Sequence, residues 1–402
     1  MTKQLALVFI LITIGIDSIG LGIIIPSFPQ LISETAGVSL KDSSSYFGWV
    51  MGSYALMQFL FAPLVGNLSD RFGRRPILLL SVFGMGIDYL FMYFAPNLFW
   101  LVLGRSVSGV FGASFTTAAA YIADVSDDEN RAKNFGMIGA AFGIGFVIGP
   151  AIGGLLADFG TRAPFLAASL FSLLNFIFGY FILKESLPKE NRRAFDWKRV
   201  SPFGVWRQIQ KMGHLKNLFL VTFIVLITNM AVHATWNYYS MEKFGWTIKE
   251  VGISLAVVGV SFGLIQGVGS GMMVKKFGEW KTAIIGVVVL ILVMLLFAII
   301  PYGWLLYLMI LPYAFSGVLD PSIRALVSKE VSENEQGELQ GIFTSLMSLA
   351  EIIGPPLMMM VYYQSRTYFT SPIFNFGMPY LISSLLGMVA LLILWRTYKR
   401  KS

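Results

Sequence analysis

The chain has 402 residues, 56% of them apolar and only 13% charged, and its mean hydropathy is +0.70. Soluble proteins run nearer ~45–50% apolar and ~25% charged, so a soluble globular enzyme is excluded, and with it disorder, collagen and a coiled coil. No Cys and only two His remove disulfides, thiol nucleophiles and Cys metal sites, and no metal-ligand cluster is visible.

A membrane-spanning helix needs roughly 20 mainly apolar residues, so twelve of them take about 240 residues. Apolar runs broken by charge or by Gly, Pro and Asn clusters predict spans near 5–33, 46–69, 76–95, 98–122, 134–158 and 163–184. A second set follows near 217–240, 250–272, 282–300, 303–327, 339–363 and 377–395. Helix is forced, because lipid offers the backbone no hydrogen-bond partner and barrel strands would alternate in polarity. The first run is too long for a signal-peptide core and lacks a small-residue cleavage site, so it is read as retained. The fold class expected is an all-α membrane protein of twelve transmembrane helices in two six-helix bundles. Its parts are residues 1–184, a linker 185–216, and residues 217–402. A stretch of that linker, Trp206 to Lys216, is expected to lie as a helix on the membrane surface.

An even number of spans puts both termini on one side, and the basic residues then sort sharply. One side holds 24 of the 30 Lys and Arg, among them Arg71, Arg74, Arg75 and the run in 184–216. The opposite loops hold Lys41, Arg162, Lys243, Lys249 and Arg366, while Arg105 falls inside a span. The positive-inside rule makes the crowded side, and both termini, cytoplasmic. The net charge of +8 is therefore topological, and no nucleic-acid partner is expected.

The halves repeat. At an offset of 205, Gly66, Phe72, Gly73, Pro96, Gly136, Gly149 and Pro150 fall on Gly271, Phe277, Gly278, Pro301, Gly341, Gly354 and Pro355. Gly and Pro mark special backbone positions, so their coincidence carries more weight than matching Leu would.

Four groups of residues carry chemistry. The segment Gly66-Asn-Leu-Ser-Asp-Arg-Phe-Gly-Arg-Arg75 lies between the second and third spans. There Gly66 permits close helix approach, Asp70 can cap or pair with Arg, Gly73 suits a tight reversal, and Arg71 and Arg74 anchor the loop. The bland alternative is a solvated basic turn. In the fifth span Gly145, Gly149 and Gly153 recur every fourth residue and form a ridge for a partner helix, with Pro150 permitting a bend. Pure packing accounts for the ridge equally well. In the fourth span Arg105 shares a face with Ser108, Gly109 and Gly112; a charge at mid-membrane costs at least ~2.5 kcal/mol, so it needs protein or water and a partner. Candidate partners are Asp17 in the first span and Asp88 in the third, both among apolar and small residues, where a carboxylate can carry a proton. A buried structural ion pair is the alternative.

In the second half Glu351, Asp320 and Arg324 stand out; Glu351 is a candidate second proton site or a contact for a cationic substrate, and Asp320 either meets substrate or pairs with Arg324 four residues on. Asn229, His233, Trp236 and Asn237 form a polar and aromatic stripe at helical spacing, either a binding wall or packing. Tyr54 and Gln58 make a similar pair on the second span, and Gln266 lies in the eighth.

The pattern around Asp70, Arg71, Gly73 and Arg74 resembles the signature loop of the major facilitator superfamily. That resemblance implies a cytoplasmic gate locked by charge pairs to an acid ending the fourth span, here Asp124. The Gly145–Gly154 segment resembles the fifth-span motif of proton-driven drug antiporters, and the Arg105 segment their proton-coupling motif. Asp17 with Gly20-Leu-Gly22, Tyr54-Ala-Leu-Met-Gln58, Asp88-Tyr-Leu90, Phe244-Gly-Trp246 and Leu339-Gln-Gly341 look like tetracycline/proton antiporters over nearly the whole chain. In that family the first- and third-span acids handle proton and substrate, which carries over to Asp17 and Asp88. The family's ninth-span acid and eighth-span His have no counterpart here.

The expectation is a monomeric, proton-coupled antiporter of the bacterial inner membrane that exports a small amphiphilic compound, without a cofactor or metal. An importer or uniporter of a nutrient or siderophore on the same fold is the first rival, and a transport-inactive receptor or scaffold the second. No Gly-Lys-Ser/Thr phosphate loop and no nucleophile–base set is present, which argues against a pump driven by ATP and against an enzyme.

Overall fold

The computed structural model describes residues 3–112, 114–126, 128–195, 209, 212–331 and 335–401. Among them all regular structure is helical. The first half holds α1 (Lys3–Ile24), α2 (Phe28–Ala36), α3 (Leu40–Phe72), α4 (Arg74–Phe94), α5 (Leu98–Phe111), α6 (Ser114–Val125), α7 (Asp128–Leu156) and α8 (Ala163–Ile182). The second holds α9 (Lys216–Phe244), α10 (Ile248–Leu264), α11 (Ser270–Ile299), α12 (Trp304–Ser316), α13 (Leu319–Ser328), α14 (Gln336–Tyr368) and α15 (Pro372–Lys401). Five of the eleven residues of the expected surface helix Trp206 to Lys216 lie outside the described residues; of the others, Gly213–Leu215 is a 3-10 turn that leads into α9.

Among the described residues ten continuous helical stretches are long and apolar enough to cross a bilayer. One of them, Ile248–Ile299, runs 52 residues. At 1.5 Å per residue that is about 78 Å against a hydrocarbon core of about 30 Å, so it must cross twice. It breaks where expected, at Gly278, with φ 75° and ψ 166°. The short α5 and α6 together cover the expected fourth span, and with the double crossing this agrees with the twelve passes expected. Proline and glycine divide the composite spans: Pro26 sits in the turn between α1 and α2, Gly112 between α5 and α6, and Gly317 between α12 and α13.

The repeat extends to backbone detail. Gly73 (φ 106°) and Gly278 (φ 75°), one offset apart, both take a conformation closed to side-chain-bearing residues. Gly112 (φ −62°, ψ −11°) and Gly317 (φ −63°, ψ −10°), at the same offset, end their helices identically. Helix partners repeat as well. In the first half α1 packs on α7 and α8, and α4 on α8; in the second α9 packs on α14 and α15, and α11 on α15.

The chain forms two compact units. One is Met1–Val38, Ser53–Pro202 and Thr247–Ala256; the other is Ser39–Gly52, Phe203–Trp246 and Val257–Ser402. The opening turns of α3 and α10 thus each belong with the opposite half of the sequence. In the second unit a Cβ on Gly48 would stand 2.7 Å from Pro356 Cα, and Ser43 hydrogen-bonds Tyr238 at 3.1 Å. In the first unit Gly252 abuts the Pro150 carbonyl oxygen, and a Cβ on Gly154 would lie 3.1 Å from Lys249 Cα.

The glycine ridge of α7 seats α1. A Cβ on Gly145 would lie 2.6 Å from the Gly15 carbonyl oxygen, one on Gly149 2.7 Å from Gly22 Cα, and Gly153 faces the Ile23 carbonyl. Backbone cannot yield as a side-chain tip can. Gly153→Val is therefore expected to lower stability by at least ~1–3 kcal/mol, the cost of overpacking. Thermal unfolding in detergent reads it, and an unchanged midpoint would mean that α1 does not need this seat.

Candidate functional site

The first unit encloses a charge pair. Asp88 on α4 has its side chain fully enclosed and Arg105 on α5 is 3% exposed, with Nη1 3.9 Å from Oδ2. Glycines make the approach possible. A Cβ on Gly104 would stand 3.0 Å from Asp88 Oδ1; Gly109 and Gly112 face the backbone and ring of Tyr54, where a Cβ has no room. That close passage of α3 across α5 places the Arg105 guanidinium 4.3 Å from the Tyr54 ring centre, with the Phe28 ring 5.7 Å away. Such contacts reach about 2 kcal/mol when desolvated, which offsets part of the cost of burying the charge. Gln58 donates to the Gly112 carbonyl at 3.3 Å, an oxygen at the break between α5 and α6. Asp17 on α1 is half-buried, with Oδ1 enclosed and without a hydrogen-bond partner among the described residues. Tyr89 lies within electrostatic reach of Asp17, Asp88, Arg105 and Tyr54, so these groups form one neighbourhood.

A second cluster sits at the loop between α3 and α4. Arg74 bridges Asp70 (Nη1–Oδ1 2.6 Å) and Asp124 (Nε–Oδ2 3.2 Å) and donates to Ser69 Oγ at 2.7 Å. Gly73 makes the reversal with φ 106°, as expected. Arg71 takes no part in these bonds and lies over the Phe72 ring instead. The space beside Gly66 is open, so close helix approach is not what this glycine serves in the structure.

Glu185 completes this cluster, and the sequence reading left it in the linker. Its carboxylate accepts the N–H of Arg74 at 2.8 Å and of Arg75 at 3.3 Å, and Gly73 has no room for a side chain beside it. Ser186 and Leu187 donate to Oε1 at 3.1 and 3.0 Å, while Ser186 Oγ reaches Asp124 at 2.9 Å. Arg75 in turn donates to the Leu183 and Tyr180 carbonyls, both at 2.6 Å. The signal was present: α4 opens on two arginines with no acid in its first turn, against the helix dipole, so an anion from elsewhere is needed. Together the segment and loop border an open pocket of about 290 Å³ lined by Asp70, Arg74, Asp124, Leu187, Asn191 and Arg193.

In the second unit the stripe on α9 separates. His233 is the one exposed residue in 230–241. Asn229 bonds Tyr313 at 3.0 Å. Trp236, 2% exposed, packs against Phe297 and Trp246, and Asn237 is buried. Gln266 is exposed in a π turn at Ile265–Gly269. Asp320 pairs with Arg324 at 2.8 Å and is exposed. Glu351 is half-buried on α14. A pair the sequence reading passed over joins α9 to α14: Glu242 meets Arg366 at 2.8 Å, with Tyr362 donating at 3.3 Å. Among the described residues no group of His, Asp and Glu could hold a metal ion.

A repeated fold of many helices long and apolar enough to span a bilayer, with an ion pair buried inside one bundle, is the architecture of a membrane transporter. The model of the Major Facilitator Superfamily matches residues 10–355 and 218–402, and the chain belongs to that family. It is similar to the class C tetracycline resistance protein of Escherichia coli, at 37% identity over 97% of this chain and 96% of that protein. Similarity to the class G protein of Vibrio anguillarum is 38% over 86% and 87%, and to the class B protein of Escherichia coli 33% over 97% and 96%. Among solved structures the fold matches the human organic anion transporter MFSD10 (TM-score 0.72, 22% identity, 98% of this chain and 100% of that one). It also matches the nucleoside transporter NupG (TM-score 0.77, 15% identity, 98% and 99%).

Proposed function

We propose that this protein is a proton-coupled antiporter that exports a small amphiphilic compound, such as a tetracycline-like drug, from a bacterial cell. It works as a monomer in the inner membrane with both termini cytoplasmic, and bundles 1–184 and 217–402 rock about the linker 185–216 to alternate access. The observation that carries this reading is the buried pair of Asp88 and Arg105, with Asp17 in electrostatic reach of the same Tyr89, inside the first bundle of a chain whose relatives are tetracycline resistance proteins. A carboxylate kept away from water is costly while charged, so it takes up a proton readily and gives it up when an opposing charge or fresh solvent arrives. Asp17, partly open, is the group that exchanges proton for substrate; Arg105 sets the field that Asp88 feels. Glu351 is a second proton site, and Tyr54, Gln58, Asn229, His233, Trp236, Asn237, Gln266 and Asp320 are the substrate candidates, His233 foremost because it is open. The gate is the loop of Gly66, Asp70, Arg71, Gly73 and Arg74 with Asp124, and the bend is at Gly145, Gly149 and Pro150.

Inside-out vesicles from cells expressing the chain test this. Tetracycline is expected to accumulate when the interior is acid and to leak away on addition of an uncoupler. Accumulation that ignores the uncoupler, or that runs the other way, would favour the importer or uniporter.

A further inference from the structure

Inside the first unit, the buried oxygens without a hydrogen-bond partner among the described residues include Thr13 Oγ1 and Asp17 Oδ1 on α1, Tyr89 OH on α4, and Ser172 Oγ and Asn175 Oδ1 on α8. Thr13 is 6% exposed, Asn175 1%, and Tyr89 and Ser172 0%. They are neighbours. Asn175 Nδ2 donates to the Thr13 carbonyl at 3.0 Å. Thr13, Asp17 and Gly20 succeed one another on one face of α1. At Gly20 a Cβ would stand in ordinary contact, 3.4 Å from Ser172 Oγ and 3.8 Å from Tyr89 OH, so both hydroxyls adjoin this face of α1. Tyr89 follows Asp88 in the chain and lies within electrostatic reach of Asp17, Asp88, Arg105 and Tyr54, the charged and titratable groups facing this seam. The seam ends where Ser169 is satisfied by the Gly86 carbonyl at 2.8 Å.

Leaving each such group unpaired costs about 1–3 kcal/mol, and five in one place exceed what a marginally stable bundle tolerates. A buried cluster of unpartnered oxygens is where internal water binds, each molecule taking two to four hydrogen bonds. We propose that Thr13, Tyr89, Ser172 and Asn175 hold a file of buried water that carries protons between Asp17, which is partly open, and the enclosed Asp88. The idea rests on the proton-coupled reading above. Each hop breaks one O–H bond and forms the next; the net result is one proton leaving the Asp17 carboxyl and one arriving on the Asp88 carboxylate, with no change of oxidation state. The Tyr89 hydroxyl can donate and accept at once, and it lies within electrostatic reach of both acids.

The test follows hydrogen–deuterium exchange of the Asp88 carboxyl by infrared spectroscopy, on the whole protein in lipid at a pH where that carboxyl is protonated. The band is assigned by its loss in Asp88→Asn. In the wild type exchange is expected to be prompt. In Tyr89→Phe with Ser172→Ala it is expected to slow by roughly tenfold or more, which is about 1.4 kcal/mol of barrier. Proton-driven antiport slows with it, while substrate counterflow, which needs no net proton transfer, does not. Exchange as fast as in the wild type would overturn the proposal. Equal loss of counterflow and thermal midpoint would also overturn it, since the hydroxyls would then serve packing. Sodium ions that raise the midpoint in the wild type but not in the variant would replace the water file with a cation site. Should the double variant not fold, Tyr89→Phe alone carries the same measurement. Exchange needs no transport, so rapid exchange in a chain without proton-driven antiport keeps the water file and dismisses the transport reading.

Discussion

Arg105→Ala is expected to abolish transport and to lower stability by about 3–5 kcal/mol, the cost of stranding one member of a buried ion pair. Among the described residues Arg105 is the one cation paired with Asp88, whose side chain is fully enclosed. Without the guanidinium the carboxyl relieves its burial by keeping a proton, which takes it out of any cycle of uptake and release. Two rings lose their cation as well, since Arg105 lies between Tyr54 and Phe28. Arg105→Lys keeps the charge but not the flat stacking surface, so it is expected to recover stability in part. The pairing itself is read by a cycle. Adding Asp88→Asn to Arg105→Ala is expected to cost much less than the two single changes summed, with a coupling of about 0.5–3 kcal/mol. Additive losses would mean that the 3.9 Å separation carries no interaction of consequence.

Glu185→Ala is expected to loosen the segment 183–193 from the loop and to slow transport while leaving both bundles folded. Four N–H groups lose their acceptor at once: those of Arg74, Arg75, Ser186 and Leu187. The carboxylate is about a quarter exposed, so water takes over part of this work and the loss is nearer ~1 kcal/mol than the full penalty of orphaned groups. Gly73→Ala reaches the same place by another route. At φ 106° an added Cβ strains the backbone by about 1–3 kcal/mol, and it meets the Glu185 carboxylate. Because both changes break one contact, their combination is expected to cost less than their sum. Limited proteolysis between Leu183 and Arg193 reads the release directly. A cleavage pattern equal to that of the wild type would show that the segment does not depend on this carboxylate.

The spans were legible because lipid demands length and apolarity, which composition reveals without periodicity. Gly73 and Gly278 were legible as turns for a related reason: few residues tolerate those angles. Depth within the bundle was harder to read. Helical spacing placed Asn229, His233, Trp236 and Asn237 on one stripe, yet Trp236 is wrapped in aromatic rings while His233 is open, since spacing defines a face and not what covers it. The opening turns of α3 and α10 joining the opposite halves could not be read from local sequence, because that exchange is set by packing at Gly48 and Gly252, residues distant in the chain from their seats. Ser172 and Asn175 were readable in principle, as polar residues in an otherwise apolar run, where they bond across helices. Their significance appears only with α1 beside them. One asymmetry follows from the repeat: at the offset of 205, Asp17, Asp88 and Arg105 fall on Thr222, Val293 and Ile310. The ionisable cluster therefore belongs to the first half alone, while the second half keeps the scaffold.

The most direct measurement is proton release by the purified protein in lipid when a tetracycline is added at constant pH, followed with a pH-sensitive dye. The account predicts that the wild type releases protons on binding and that Asp17→Asn binds the drug without releasing them. A wild type that binds drug with no proton movement, or an Asp17→Asn variant that releases as many as the wild type, would contradict it.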